Sequence, residues 1–196
     1  MAIPSAASGV FMLVGCGTVS GIVGQASGKP PGAVSDITMQ QAAERADAML
    51  DATLNAIKPT VRWTHGGSSV GSCDVSRSRT VMTVISEERR GEFLDVVQRF
   101  WEKSGYRINS VNESEKFPAI FARSPDGFGI SLVIGGAGQA VFDVDTPCAK
   151  PSDVADPTTP PNGPAYEYPI PRPNVRSDFW SSADPVSSVP PKTSAG

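Results

Sequence analysis

Between Phe128 and Asp145 the chain alternates twice, and this alternation constrains the fold more than any other feature. Phe128, Ile130, Leu132 and Ile134 take every second position. Gly135-Gly136-Ala137-Gly138 then turns the chain, and Ala140, Phe142 and Val144 alternate with Val141, Asp143 and Asp145. A period of two sets one face of each segment on a core and the other toward water. Ser124-Pro125-Asp126-Gly127 is a strong turn signal just upstream, and further strands are expected over 118–123 and 106–111. The result is an antiparallel meander with one apolar face that something must cover.

Two segments have the period to cover it. Met39, Ala42, Ala43, Ala46, Met49, Leu50, Leu54 and Ile57 recur at three- and four-residue spacing, which predicts a helix over 38–58. Asp36 or Thr38 is suited to cap it, its alanines permit close approach to a sheet, and Pro59 ends it. Phe93, Val96, Val97, Phe100 and Trp101 form the stripe of a second amphipathic helix. Ser86 is its expected cap, Glu87 and Glu88 suit its first turn, and Gly105 terminates it. A β-branched strand is expected over 79–85 and a short one over 61–64, with 65–72 as a loop between them. The expected class is α+β: two main helices packed on one face of a mostly antiparallel sheet of four to five strands, ending in a C-terminal β-meander, with one disulfide.

Most of the 18 prolines, and about half of the 19 glycines, lie toward the two ends, so the core is expected from 38–148. The Gly-, Ser- and Pro-containing stretch 17–37 reads as a flexible spacer. Residues 149–196 read as a Pro-rich disordered tail, with polyproline II over 166–173 and Phe179 and Trp180 as exposed aromatics. The formal net charge is −3 with the signs interspersed, so no basic face points to nucleic acid. No apolar run reaches the roughly 18 residues that a membrane-spanning helix requires.

Leu13-Val14-Gly15-Cys16 closes an apolar stretch and resembles the bacterial lipobox, whose cysteine carries a diacylglycerol thioether. Residues 1–16 are therefore expected to be a lipoprotein signal peptide, with Cys16 the lipidated mature N-terminus. Met1 to Gly15 holds no Lys or Arg, whereas a signal peptide begins with positive charge. Either the lipobox match is accidental, or the true start lies upstream of Met1 and carries the missing basic residues; the second is the expected reading. The lipobox also resolves the cysteine count: with Cys16 lipidated, Cys73 and Cys148 are left to pair in an oxidising compartment. The competing reading is a cytosolic chain with three unrelated thiols.

Each candidate for catalysis has a plainer explanation. Gly67-Ser68-Ser69-Val70-Gly71 matches G-x-S-x-G, but a nucleophile elbow needs a strand before it, a helix after it and a histidine later in the chain. His65, the sole histidine, stands four residues before Ser69. His65, Cys73 and Asp74 lack a recognised metal-ligand spacing. Gly135 to Gln139 lacks the Lys-Ser/Thr ending of a phosphate loop. Asp143 and Asp145 share a strand face and Asp126 lies in a turn two strands away. Such carboxylates suit acid–base chemistry or Ca²⁺, but clean alternation favours a solvated face. No catalytic residue, metal or cofactor is expected.

Trp63, Gly71-Ser72-Cys73, Gly91-Glu92-Phe93-Leu94, the run Trp101 to Tyr106, Pro125-Asp126-Gly127-Phe128 and Thr146-Pro147-Cys148 carry a second resemblance. Over 38–148 plus the lipobox, the chain resembles uncharacterised actinobacterial, Streptomyces-type cell-envelope lipoproteins with a Cys-bridged α+β domain. The resemblance implies an extracytoplasmic, lipid-anchored location and supplies no catalytic residue. The expected function is a non-catalytic binding domain, held to the membrane by diacylglycerol and facing an envelope protein partner. The alternatives are a secreted hydrolase using the Gly67–Gly71 serine loop, or a binder of a small apolar ligand or lipid.

Overall fold

In a computed structural model, residues 35–184 are described, apart from 136, 165, 167 and 168. The expectations for Cys16, the signal peptide, the spacer up to residue 34 and the last twelve residues therefore lie outside the described part. Eight elements follow in the order α1 (Met39–Ala56), β1 (Trp63–Val70), β2 (Val75–Val81), α2 (Glu87–Lys103), β3 (Arg107–Asn112), β4 (Ala119–Arg123), β5 (Gly129–Ile134) and β6 (Ala140–Asp145). The class is α+β, as expected. The sheet has six strands rather than four to five, in the order β1-β2-β6-β5-β4-β3, with every neighbour antiparallel. After the β1–β2 hairpin, α2 carries the chain to the far edge, and the expected meander returns until β6 lies against β2. No described helix is long and apolar enough to cross a membrane.

The helix boundaries follow local chemistry. Thr38 and Gln41 form a reciprocal capping box, with Thr38 N–H donating to Gln41 Oε1 at 2.9 Å and Gln41 N–H to Thr38 Oγ1 at 3.3 Å. At the end of α2, Gly105 takes φ +80°, its N–H donates to Glu102, and Tyr106 N–H reaches back to Trp101. That is a Schellman closure, which a β-carbon would strain. Ser86 occupies the cap position of α2 but does not cap it: its hydroxyl donates to the carbonyl of Ser182 instead.

Both helices lie on the face carrying Ile130, Leu132, Phe142 and Val144, all buried. Ala42, Ala43 and Ala46 are buried and let α1 pack closely over β2 and β6. Trp101 is buried beside α1, its indole N–H donating at 3.0 Å to Thr53, whose own hydroxyl donates to Met49. The opposite face of the sheet carries exposed Phe121 and Val133.

Three expectations are corrected. Residues 65–70 are not a loop; they belong to β1, paired with β2 through a register shift between His65 and Ser68. The strand expected over 79–85 runs instead from Val75 to Val81, and includes two arginines.

The third correction concerns the tail. Over its described part it is not plain disorder, and the domain does not stop at Cys148. Thr38 forms a parallel bridge with Lys150, and Thr83 another with Val175. Trp180, expected to be exposed, is fully buried, edge-on to Phe93 at 5.1 Å, with its indole N–H donating to Pro59 O at 2.6 Å. Phe179 is partly buried, with the Arg89 guanidinium 4.4 Å over its ring. This segment has no periodicity because it builds no element of its own. It docks onto surfaces the helices and sheet have already made.

Candidate functional site

Among the described residues, four charged side chains gather between α1 and the β1–β2 hairpin. Arg77 and Arg79 alternate on β2 with their side chains 3% and 0% exposed. Asp47 of α1 answers both: its Oδ1 lies 2.8 Å from Arg79 Nη2, its Oδ2 3.3 Å from Arg77 Nε. Asp51, one turn on, sits 3.7 Å from Arg79. Trp63 completes the cage, with the Arg79 guanidinium 5.1 Å from its ring centroid. The chain after Cys148 closes the cluster from outside. Ala155 O accepts from Arg77, and Thr159 Oγ1 donates to Asp51 at 2.6 Å. Asn162 Nδ2 donates to Val61 O while its Oδ1 accepts from Trp63 N–H. Buried charges of this kind persist only when paired and hydrogen-bonded. Their work here is to fix α1, the hairpin and the covering segment to one another.

His65 belongs to this cluster. Its Nε2–H donates to Thr159 O at 2.9 Å, which sets the tautomer, and its ring stands edge-on to Trp63 at 5.3 Å. Burial, followed by the positive charge of Arg79, lowers its pKa below the ordinary value. His65 pairs in register with buried Arg79, whereas Ser69 pairs with Ser76 and is exposed on the edge strand. The G-x-S-x-G match is thus a piece of edge strand, without the following helix that a nucleophile elbow needs.

The carboxylates are likewise kept apart. Asp143 and Asp145 lie on the sheet face away from the helices. Burial raises the Asp143 pKa, opposed by a hydrogen bond from Ser78 and reinforced by the charge of Asp145. Asp126 turns instead to α1, pairing with Arg45 at 3.0 Å. Burial raises its pKa, but hydrogen bonds from Ser124 and Arg45 outweigh this and leave it below the usual carboxylate range. Among the described residues no three His, Cys, Asp or Glu side chains gather in a way that could hold a metal ion. Gly135 and Gly138 form the β5–β6 turn; Gly138 has φ +73°, and a β-carbon there would collide with the Ile85 backbone. Cys73 and Cys148 are disulfide-bonded with Cα atoms 4.8 Å apart, and Ala149 N–H donates to Cys73 O beside the bridge.

One concave feature among the described residues was not singled out from sequence. A groove of about 300 Å³ runs between the first half of α2 and the chain from Val111 to Pro118. Gly91, Leu94, Val111 and Pro118 supply its apolar surface, and Glu87, Asp95, Glu113 and Glu115 its carboxylates, all four exposed. Arg90 joins the two walls, donating to Lys116 O at 2.9 Å and to Glu115 O at 3.4 Å, with the Glu87 carboxylate 3.6 Å away. The loop is shaped internally: Ser114 N–H donates to Asn112 Oδ1, and Asn112 Nδ2 to Phe117 O.

Gly91 is the unusual member. A glycine inside a helix costs about 1 kcal/mol relative to alanine. A β-carbon built at Gly91 meets nothing within 4 Å. Packing among the described residues therefore does not account for the missing side chain, whose absence leaves the helix backbone open to the groove. A glycine inside an otherwise periodic helix was the one signal in the sequence that could have located it.

No protein-family model matches the chain, and no curated protein matches it. Among solved structures, a DUF4853 family protein from Actinomyces odontolyticus ATCC 17982 is similar at 11% identity and a TM-score of 0.31, covering 72% of this chain and 80% of that chain.

Proposed function

We propose that the chain is an exported envelope lipoprotein, anchored by diacylglycerol on Cys16 at the extracytoplasmic face of the cell membrane. Its α+β domain serves as a non-catalytic binding module for another envelope component. The observation that carries this is the Cys73–Cys148 bond. A disulfide belongs to an oxidising compartment, and it takes two of the chain's three cysteines. The third stands behind Leu13-Val14-Gly15, where a lipobox cysteine would stand. The sequence resemblance to actinobacterial envelope lipoproteins points to the same address. Support for a binding module comes from the acid-rimmed groove, and from the separation of Ser69, His65, Asp126 and Asp143, which assembles no nucleophile–base pair.

Intact mass of the membrane-extracted chain tests the anchor. The expected product starts at Cys16, carries the lipid, and is two hydrogens lighter than the dithiol form. An unprocessed chain with three free thiols would overturn the proposal.

A further inference from the structure

We infer that the groove between α2 and the β3–β4 loop is a docking site for an extended cationic peptide segment, with an aliphatic side chain against Leu94 and Val111 and lysine or arginine groups on the carboxylate rim. The inference rests on the reading of the domain as a binding module and names the chemistry of its partner. Charge complementarity selects the cation. Asp95, Glu113 and Glu115, together with Glu87, surround an apolar floor; the one cation among the described lining residues, Arg90, is directed to the backbone carbonyls of Glu115 and Lys116 and to the Glu87 carboxylate 3.6 Å away, so the rim stays net acidic. A lysine can lay its methylene stem on such a floor while its ammonium reaches the rim. The open helix backbone at Gly91 provides the clearance for a peptide chain to approach. A groove of about 300 Å³ lies at the small end of ligand sites and suits a few residues rather than a folded domain.

The test is a titration of the full chain with acetylated Lys-Leu-Lys amide, followed by amide NMR shifts, with the Glu-Leu-Glu counterpart as control. The expected result is saturable binding of the lysine peptide, at least about tenfold tighter than the control. Shifts should concentrate in the first half of α2 and in 111–118, and affinity should weaken between about 50 and about 300 mM salt as screening shortens the range of the rim charges.

Two kinds of variant localise the effect. Gly91→Ala raises the melting temperature by about 2–4 °C, because the helix gains and nothing clashes. Gly91→Leu fills the floor and weakens binding by roughly tenfold or more. Should Gly91→Leu fail to fold, the paired change Glu113→Gln and Glu115→Gln, on an exposed loop, decides the matter by weakening binding and reducing its salt dependence, since Asp95 and Glu87 remain on the rim. Absence of saturable binding, equal affinity for both peptides, or binding indifferent to these variants overturns the inference. Crosslinking of the lipidated chain in an envelope lysate separates this from the broader reading. A specific partner held by both wild type and Gly91→Leu sinks the groove and spares the binding module; no partner above a tag-only control sinks the module, while the titration still judges the groove.

Discussion

Asp47→Asn should be among the most damaging conservative changes in the molecule. The substitution keeps the size of the side chain, so no cavity opens, and it removes the charge that sits 2.8 Å from Arg79 and 3.3 Å from Arg77. Two guanidinium groups, 0% and 3% exposed, would then rely on Asp51, which is 3.7 Å from Arg79 and itself partly solvated. Breaking a buried pair by removing one partner costs about 3–5 kcal/mol, because the remaining charge stays desolvated. For a chain of this size that lowers the melting temperature by roughly 6–20 °C. The assay is guanidinium unfolding followed by circular dichroism with the disulfide intact, reading the midpoint at an unchanged slope. Asp126→Asn is the control. Its pair with Arg45 leaves both side chains nearly half exposed, so it should cost less than about 1 kcal/mol. If Asp47→Asn falls within about 1 kcal/mol of wild type, or matches Asp126→Asn, the cluster does not hold the helix to the hairpin as argued.

Other outcomes follow from the same contacts. Trp180→Ala should cost about 3–5 kcal/mol by thermal or denaturant unfolding, since the ring is fully buried against Phe93 and its N–H is satisfied by Pro59; a loss below about 1 kcal/mol would mean the C-terminal segment is not part of the core. The double change Cys73→Ser and Cys148→Ser, which opens a loop of 75 residues, should lower stability by about 4 kcal/mol, read from the same unfolding curves. His65 has a lowered pKa in the folded state, so the unfolded chain binds more protons below pH 6.5. Stability therefore falls as pH drops from 6.5 to the lowered folded value and is fully present above 6.5; His65→Gln should flatten that part of the stability–pH curve. A curve of unchanged slope in that variant would count against the burial of the imidazole.

Where local pattern and burial agree, the fold was legible residue by residue. The alternation from Phe128 to Val144 fixed two strands and their buried faces, the stripe from Phe93 to Trp101 fixed α2, and Gly105 marked its end. The β1–β2 hairpin was not legible. Ser68, Arg77 and Arg79 look like surface residues, and a buried arginine is stable only because Asp47 and Asp51 arrive from a helix some 30 residues away in sequence. The same holds after Cys148: proline and serine carry no period, and Trp180 is buried only because Phe93 and Pro59 already form its pocket. The pairing of Cys73 with Cys148 was expected from the sequence on the proposal that Cys16 is set aside, and the bond itself is present.

The sequence by itself thus determined the α+β class, the meander and the positions of the helix ends. Those depend on neighbours within a few residues or on a short motif. Tertiary structure decided which charges are buried, how far the domain extends, and where a ligand could sit. The groove shows why: Gly91 and Glu113 acquire a joint meaning only when Arg90 ties α2 to the β3–β4 loop, and no periodicity in either segment encodes that meeting.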